Sequence, residues 1–201
     1  MSTLSKDLLP DAIETPRTIV RKAVRPDLAQ IASWPPYDWP NEVFNVHDMN
    51  VGVGGQPPWW RRIDEPDRCH YSVILPAGGE VIGVHALVSI DWARRIAANM
   101  GVRIAPQYCG QGYGTETLKA LFAAVMACGM KVIRLDVAAS NARALRCYER
   151  CGMRIVGEFW RQHRGSPVDP SDAKWQFALP HMRRERGSWM SRFYWMQIAA
   201  R

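Results

Sequence analysis

Alternation and helical spacing divide the chain into a strand-rich first half and a strand–helix series behind it. Residues 18–24 read as a strand, and a helical segment follows Pro26 from Asp27 towards Trp34. Residues 34–68 have no regular period, because prolines such as Pro35, Pro36, Pro40, Pro57 and Pro58 remove backbone donors too often for a long element. Alternation returns at 70–75, where Tyr71, Val73 and Leu75 share a face. Gly78 and Gly79 turn the chain into a strand at 81–90, and residues 92–95 turn it again into 96–104. Short turns between three strands predict an antiparallel meander. Beyond it, Leu118, Leu121, Phe122, Val125 and Met126 fall at helical spacing within 117–128, closed by Gly129. Residues 131–138 alternate as a strand, 141–151 form a second helix closed by Gly152, and 153–160 form another strand. The pattern further predicts a last strand at 174–179 and a terminal helix at 188–200.

The joint between the meander and the first long helix carries the chemistry. Gly110, Gly112 and Gly114 alternate between a strand and a helix start. Without Cβ atoms, successive N–H groups there can point into one concavity, and the helix dipole adds positive potential. That arrangement suits a phosphate or pyrophosphate. A dinucleotide fold would space its glycines G-x-G-x-x-G after a βαβ start, whereas here the spacing is G-x-G-x-G after a meander.

With its continuation, this stretch resembles the GNAT superfamily of acetyl-CoA-dependent N-acetyltransferases. Gln107-x-x-Gly110-x-Gly112 matches the family's pyrophosphate signature. Gly112 to Leu118, then Asn141-Ala-Arg-Ala144-x-x-x-Tyr148-x-x-x-Gly152, is most similar to the branch of ribosomal-protein-alanine and spermidine acetyltransferases. The resemblance implies an α/β (α+β) GNAT fold: a twisted, mostly antiparallel sheet flanked by helices, with one parallel strand pair splayed at the cofactor cleft. It places Val102, Arg103 and Ile104 along the pantetheine arm of acetyl-CoA. Gln107 and the turn Gly110, Gln111, Gly112, Tyr113, Gly114 and Thr115 would hold the pyrophosphate, and Asn141 would bond the arm. It makes Tyr148 the general acid beside the thioester sulfur and gives the oxyanion a strand N–H near Val102. Asn141 and Tyr148 lie seven residues apart, close to two helical turns, and so fall on one face.

An alkyl amine acceptor, protonated at neutral pH with a pKa of about 10, must also lose a proton. Many members of that branch carry a glutamate on the strand before the glycine turn, where this chain has Asn99, which is no base. His85 and Asp91 are the expected substitutes, along with a water chain to solvent; His85 alternatively serves as a core histidine. Cys109 has no histidine beside it and reads as a packed thiol. Cys147 and Cys151 lack a second ligand pair, so no metal is expected. Trp34, Tyr37, Trp39, Trp59 and Trp60 fall where the family binds its acceptor, either walling an amine pocket or supplying core to proline-rich segments. Asp38, Glu42, Asp48, Asp64 and Glu65 could neutralise a cationic acceptor.

At 201 residues the chain reads as a polar lead-in over 1–16, an acetyltransferase domain over 17–180, and a basic, aromatic helical extension over 181–201. That last stretch carries five arginines against one glutamate, four of the net seven positive charges. No nucleic-acid signature accompanies them, so nucleic acid is not an expected partner. Packing on its own domain, a membrane surface or a second copy in a homodimer are the roles open to the segment. No apolar run of roughly 18 residues predicts a membrane span. An odd five cysteines inside predicted elements fits reduced thiols in the cytoplasm. The expected activity is direct acetyl transfer from acetyl-CoA to a primary amine of a small molecule or a protein N-terminus. The alternative from another class is a non-catalytic acyl-CoA-binding regulatory module, favoured by Asn99 and the basic tail.

Overall fold

The computed structural model describes residues 5–38, 62–163 and 167–200. Trp39, Trp59, Trp60, Glu42 and Asp48, considered above for the acceptor side, lie outside them. A 9-stranded sheet runs in the order β1-β2-β3-β4-β5-β6-β9-β7, with β8 paired to β9. Its strands are β1 (Ala12–Glu14), β2 (Ile19–Lys22), β3 (Cys69–Ile74), β4 (Val81–Asp91), β5 (Ile96–Ile104), β6 (Val132–Ala138), β7 (Arg154–Gln162), β8 (Met182–Glu185) and β9 (Ser188–Ala199). Among the described residues three α-helices accompany it: α1 (Asp27–Ala32), α2 (Tyr113–Ala127) and α3 (Ala142–Arg150).

The meander β3-β4-β5 forms as its alternation predicts, with Tyr71 opposite His85 and His85 opposite Val102. The strand β5 then pairs in parallel with β6, and only Ile96–Val132 and Ala97–Ile133 are in register. Beyond Ala97 the two strands part, and the split opens towards Ile104 and the glycine turn. Leu118, Leu121, Phe122 and Val125 of α2 bury their stripe against Leu87, Met100, Ile133, Leu135 and Met196. Each such side chain stabilises the fold by about 1.5–3 kcal/mol relative to exposure. On the other face a smaller cluster joins Ile31 of α1 to Ile74, Val81 and Val84.

Three expectations are corrected. Residues 188–200 do not form a terminal helix; they form β9, inserted between β6 and β7. Met196 is fully buried and Tyr194 and Ile198 pack with it, while Phe193 and Trp195 stack on Phe159 of β7, a period of two that satisfies both faces. Arg186 and Gly187, at φ 47° and 82°, make the two-residue hairpin turn that leads in from β8. Residues 174–179 are no strand: Asp172 caps a single 3₁₀ turn, Ala173–Trp175, whose Trp175 is buried. The lead-in at 1–16 contributes β1 and the buried Leu9.

Candidate active site

Helix α2 begins four residues earlier than its apolar stripe suggests, because Gly112 at φ 87° serves as its N-cap. Gly110 is also left-handed at φ 80°, and a Cβ there would meet nothing within 4 Å. The turn is therefore open in front and braced behind. Arg17, in the β1–β2 connection, donates Nη1–H to the Gln111 carbonyl at 3.1 Å and pairs through Nε with Glu116 at 2.7 Å. Its guanidinium lies 4.2 Å from the Tyr113 ring centroid. Thr15 donates to the same Glu116 carboxylate at 2.7 Å. Nothing in the sequence spacing pairs residues 15 and 17 with a turn about a hundred positions away.

In front of the turn lies a cavity of 660 Å³. The split strand supplies Asn99, Gly101, Val102, Arg103 and Ile104; the turn supplies Gly110, Gly112, Gly114 and Thr115; and the α3 side supplies Asn141 and Tyr148. Eight of the eleven residues expected to contact acetyl-CoA thus line one cavity, together with the expected acid. Gln107, Gln111 and Tyr113 do not line it: the Gln111 amide turns back to the Gln107 carbonyl at 2.7 Å, and the Tyr113 ring packs edge-on against Tyr108. Asn141 stands just ahead of α3 and accepts the Ala144 N–H at 3.0 Å through Oδ1, capping the helix. Its amide NH₂ keeps its donors.

Tyr148 is 7% exposed, and burial, followed by the neighbouring Cys147 and Cys151, pushes its phenol well above the ordinary range. The phenol is a donor at every physiological pH. Cys147 lies against Thr115, Sγ to Oγ1 3.4 Å, and the hydrogen bond from Cys151 draws its thiol down against the opposing effect of burial. Burial raises Cys109, whose thiol faces the Ile104 and Ala105 carbonyls, in keeping with a packed group.

His85 and Asp91 both fall away from the acceptor side. His85 is fully buried on the sheet face opposite Val84 and Ala86 and shares a 2.8 Å hydrogen bond with Thr117 of α2. Burial lowers its pKa to about 4, so it is a core histidine that pins that helix. Asp91 accepts the Arg94 N–H at 2.9 Å in the β4–β5 turn. The cavity instead reaches Arg68 and His70 at the start of β3, which sequence reasoning missed because His70 sits among apolar strand residues. Trp34 packs into the α1 cluster and donates to the Val81 carbonyl at 3.1 Å. Tyr37 lines the cavity, donates to the Ile104 carbonyl at 2.8 Å, and lies between the guanidinium groups of Arg103 and Arg143. Arg68, Arg103, Arg143, Arg146 and Arg150 all contribute to the lining, and among the described residues no Asp or Glu does.

A parallel pair split beside a glycine-capped helix, with an arginine-lined cavity across the split, defines an acyltransferase architecture. The model of the acetyltransferase (GNAT) family matches residues 28–153, and the chain belongs to that family. Among solved structures it is similar to a spermidine N-acetyltransferase SpeG chimera from Vibrio cholerae and hSSAT, at 18% identity and TM-score 0.60 over 91% of this chain and 95% of that one. A GNAT-family acetyltransferase from Bacillus anthracis aligns at 16% identity and TM-score 0.61 over 94% and 98%. The Vibrio cholerae spermidine N-acetyltransferase in complex with CoA and spermine aligns at 19% identity and TM-score 0.57 over 91% and 95%. No curated protein sequence matches the chain.

Proposed function

We propose that this protein transfers acetyl from acetyl-CoA directly to a primary amine. The observation that carries the reading is the single cavity in which the glycine turn, the split edge of β5, Asn141 and Tyr148 converge. The fit to the donor rests on shape and charge. Gly110 leaves the turn open, the start of α2 is positive, and the arginines of the lining suit a polyanionic donor. The neighbour solved with CoA has the same fold and supports this choice.

The residues then divide the chemistry. The N–H groups of β5 beyond Ala97 are released from pairing with β6, and one near Val102 would stabilise the oxyanion. The Asn141 amide would steady the pantetheine arm. As the C–S bond breaks, a thiolate leaves. A thiol's ordinary pKa of about 8.5 lies below a phenol's 10, so full transfer from Tyr148 is uphill. Tyr148 instead donates a strong hydrogen bond to the sulfur. Replacing Tyr148 with Phe should lower kcat about 100-fold, the scale of losing one aligned donor, with CoA affinity within about twofold of the parent. The test is thiol release from acetyl-CoA across spermidine, an N-terminal peptide, single amino acids and an aminoglycoside. CoA binding without thiol release from any of them would instead identify a regulatory acyl-CoA-binding module.

A further inference from the structure

Amine acylation produces a proton, and the cavity wall around the split limits what can take it. The lining arginines are permanently cationic, Tyr148 is held protonated, Asn99 carries no basic lone pair, and the Cys147 thiol, drawn down by Cys151, stands on the donor side against Thr115 of the glycine turn. His70 lines the same cavity from β3. Its register partner is Ala86 of β4, and the partner of Ala86 is Gly101 of β5, so the three residues form one row across the sheet. Arg68 lies two residues before His70, just ahead of β3, and lines the cavity with it. The row spans two strand spacings, about 10 Å from backbone to backbone. Ala86 contributes one carbon and Gly101 none, and a Cβ at Gly101 would already stand 3.7 Å from that of Ala86. Between the imidazole and the split edge of β5, the cavity face is therefore unobstructed by side chains in this row.

The geometry points to His70 as the proton acceptor for the amine, directly or through one water, in the role that Asn99 cannot fill. This rests on the acetyltransferase reading above. The alkylammonium first gives its proton to the imidazole, and the imidazolium passes it to solvent. The freed nitrogen bonds to the thioester carbon, the C–S bond breaks, and the thiolate leaves under the Tyr148 hydroxyl, taking up the surplus N–H proton of the tetrahedral adduct. Products are the acetamide, CoA thiol and the released proton, and no other reactant is consumed. Burial, helped by the charges of Arg68 and Lys6, lowers the imidazole to about 4, so the ring is neutral throughout the physiological range. Its basicity then matches an ordinary glutamate, at about 4.3. A conjugate acid that strong returns its proton readily.

The experiment compares the full-length protein with His70→Gln and with His70→Gln combined with Asn99→Glu. The probes are acetyl-CoA and the best alkyl amine of the panel, alongside its weakly basic aminooxy analogue. H70Q should lose about 100-fold or more in kcat with the alkyl amine, the usual contribution of a positioned base. CoA affinity should be kept, and the loss with the aminooxy compound, already neutral at pH 7, should be much smaller. The double variant should recover at least tenfold over H70Q, because the carboxylate stands on the same cavity face. Turnover of H70Q within threefold of the parent, equal losses with both acceptors, or no recovery in the double variant would overturn the assignment. Absence of thiol release from the parent protein with every amine would overturn the transfer reading itself, and His70's role with it.

Discussion

One carboxylate at the start of α1 gathers four donors. Asp27 is 3% exposed and accepts Arg21 Nη1 at 2.9 Å and Nη2 at 2.7 Å, Ser72 Oγ at 2.6 Å and the Val24 N–H at 3.0 Å. Burial alone would raise its pKa, but Arg21, Ser72 and Val24 outweigh burial and hold it below the ordinary carboxylate range. Its folded pKa is depressed, so its contribution is present above the unfolded value near 4 and is lost as pH falls through the folded one. Replacing Asp27 with Asn should cost about 3 kcal/mol at pH 7, the low end for breaking a buried pair because Arg21 is a third exposed. The denaturant midpoints of parent and variant should begin to approach each other below about pH 4 and meet only once pH has fallen past the depressed folded pKa. At this scale the sequence was legible where a motif fixes a position: Asn141, Tyr148 and the glycines all reach one cavity. It was not legible for His70, because a histidine inside an apolar strand has the same pattern whether it faces a cavity or a helix. His85, with the opposite fate, reads the same way.

Among the elements, the glycine turn depends on a partner outside itself. Arg17 holds the Gln111 carbonyl and the first-turn Glu116 together, and a Cβ on Gly112 would stand 3.4 Å from its Nη2. Replacing Arg17 with Ala should raise the KM for acetyl-CoA about tenfold, the scale of one charge-assisted hydrogen bond, with kcat changed far less. Equal falls in kcat and kcat/KM would show that the brace serves the chemical step instead. The meander and the helix–strand–helix series follow from their periods, since each has one dry face. The terminal segment was misread because Trp189, Phe193 and Met196 fall at spacings of four and three that a helix also accepts. What decides the matter is non-local: β9 has a strand on each side, and the Arg186–Gly187 hairpin aims it there.

For the molecule as a whole, the basic end of the chain is structure rather than appendage. Met196 sits in the main core, and β9 joins β6 to β7, which has no other strand partner among the described residues. Ending the chain at residue 187 should therefore abolish cooperative unfolding and CoA binding together, as circular dichroism and calorimetry would report. An appended helix would have come away without either loss.

The place of β9 also sets an order in time. The glycine turn, Asn141 and Tyr148 are all synthesised before the strand that supports β6, the strand from which β5 splits. Until residues 188–199 arrive, β6 presents a bare edge along its length and β7 lacks the strand it pairs with. The cavity is thus encoded by residues that precede β9, and the sheet behind it is completed only when β9 arrives.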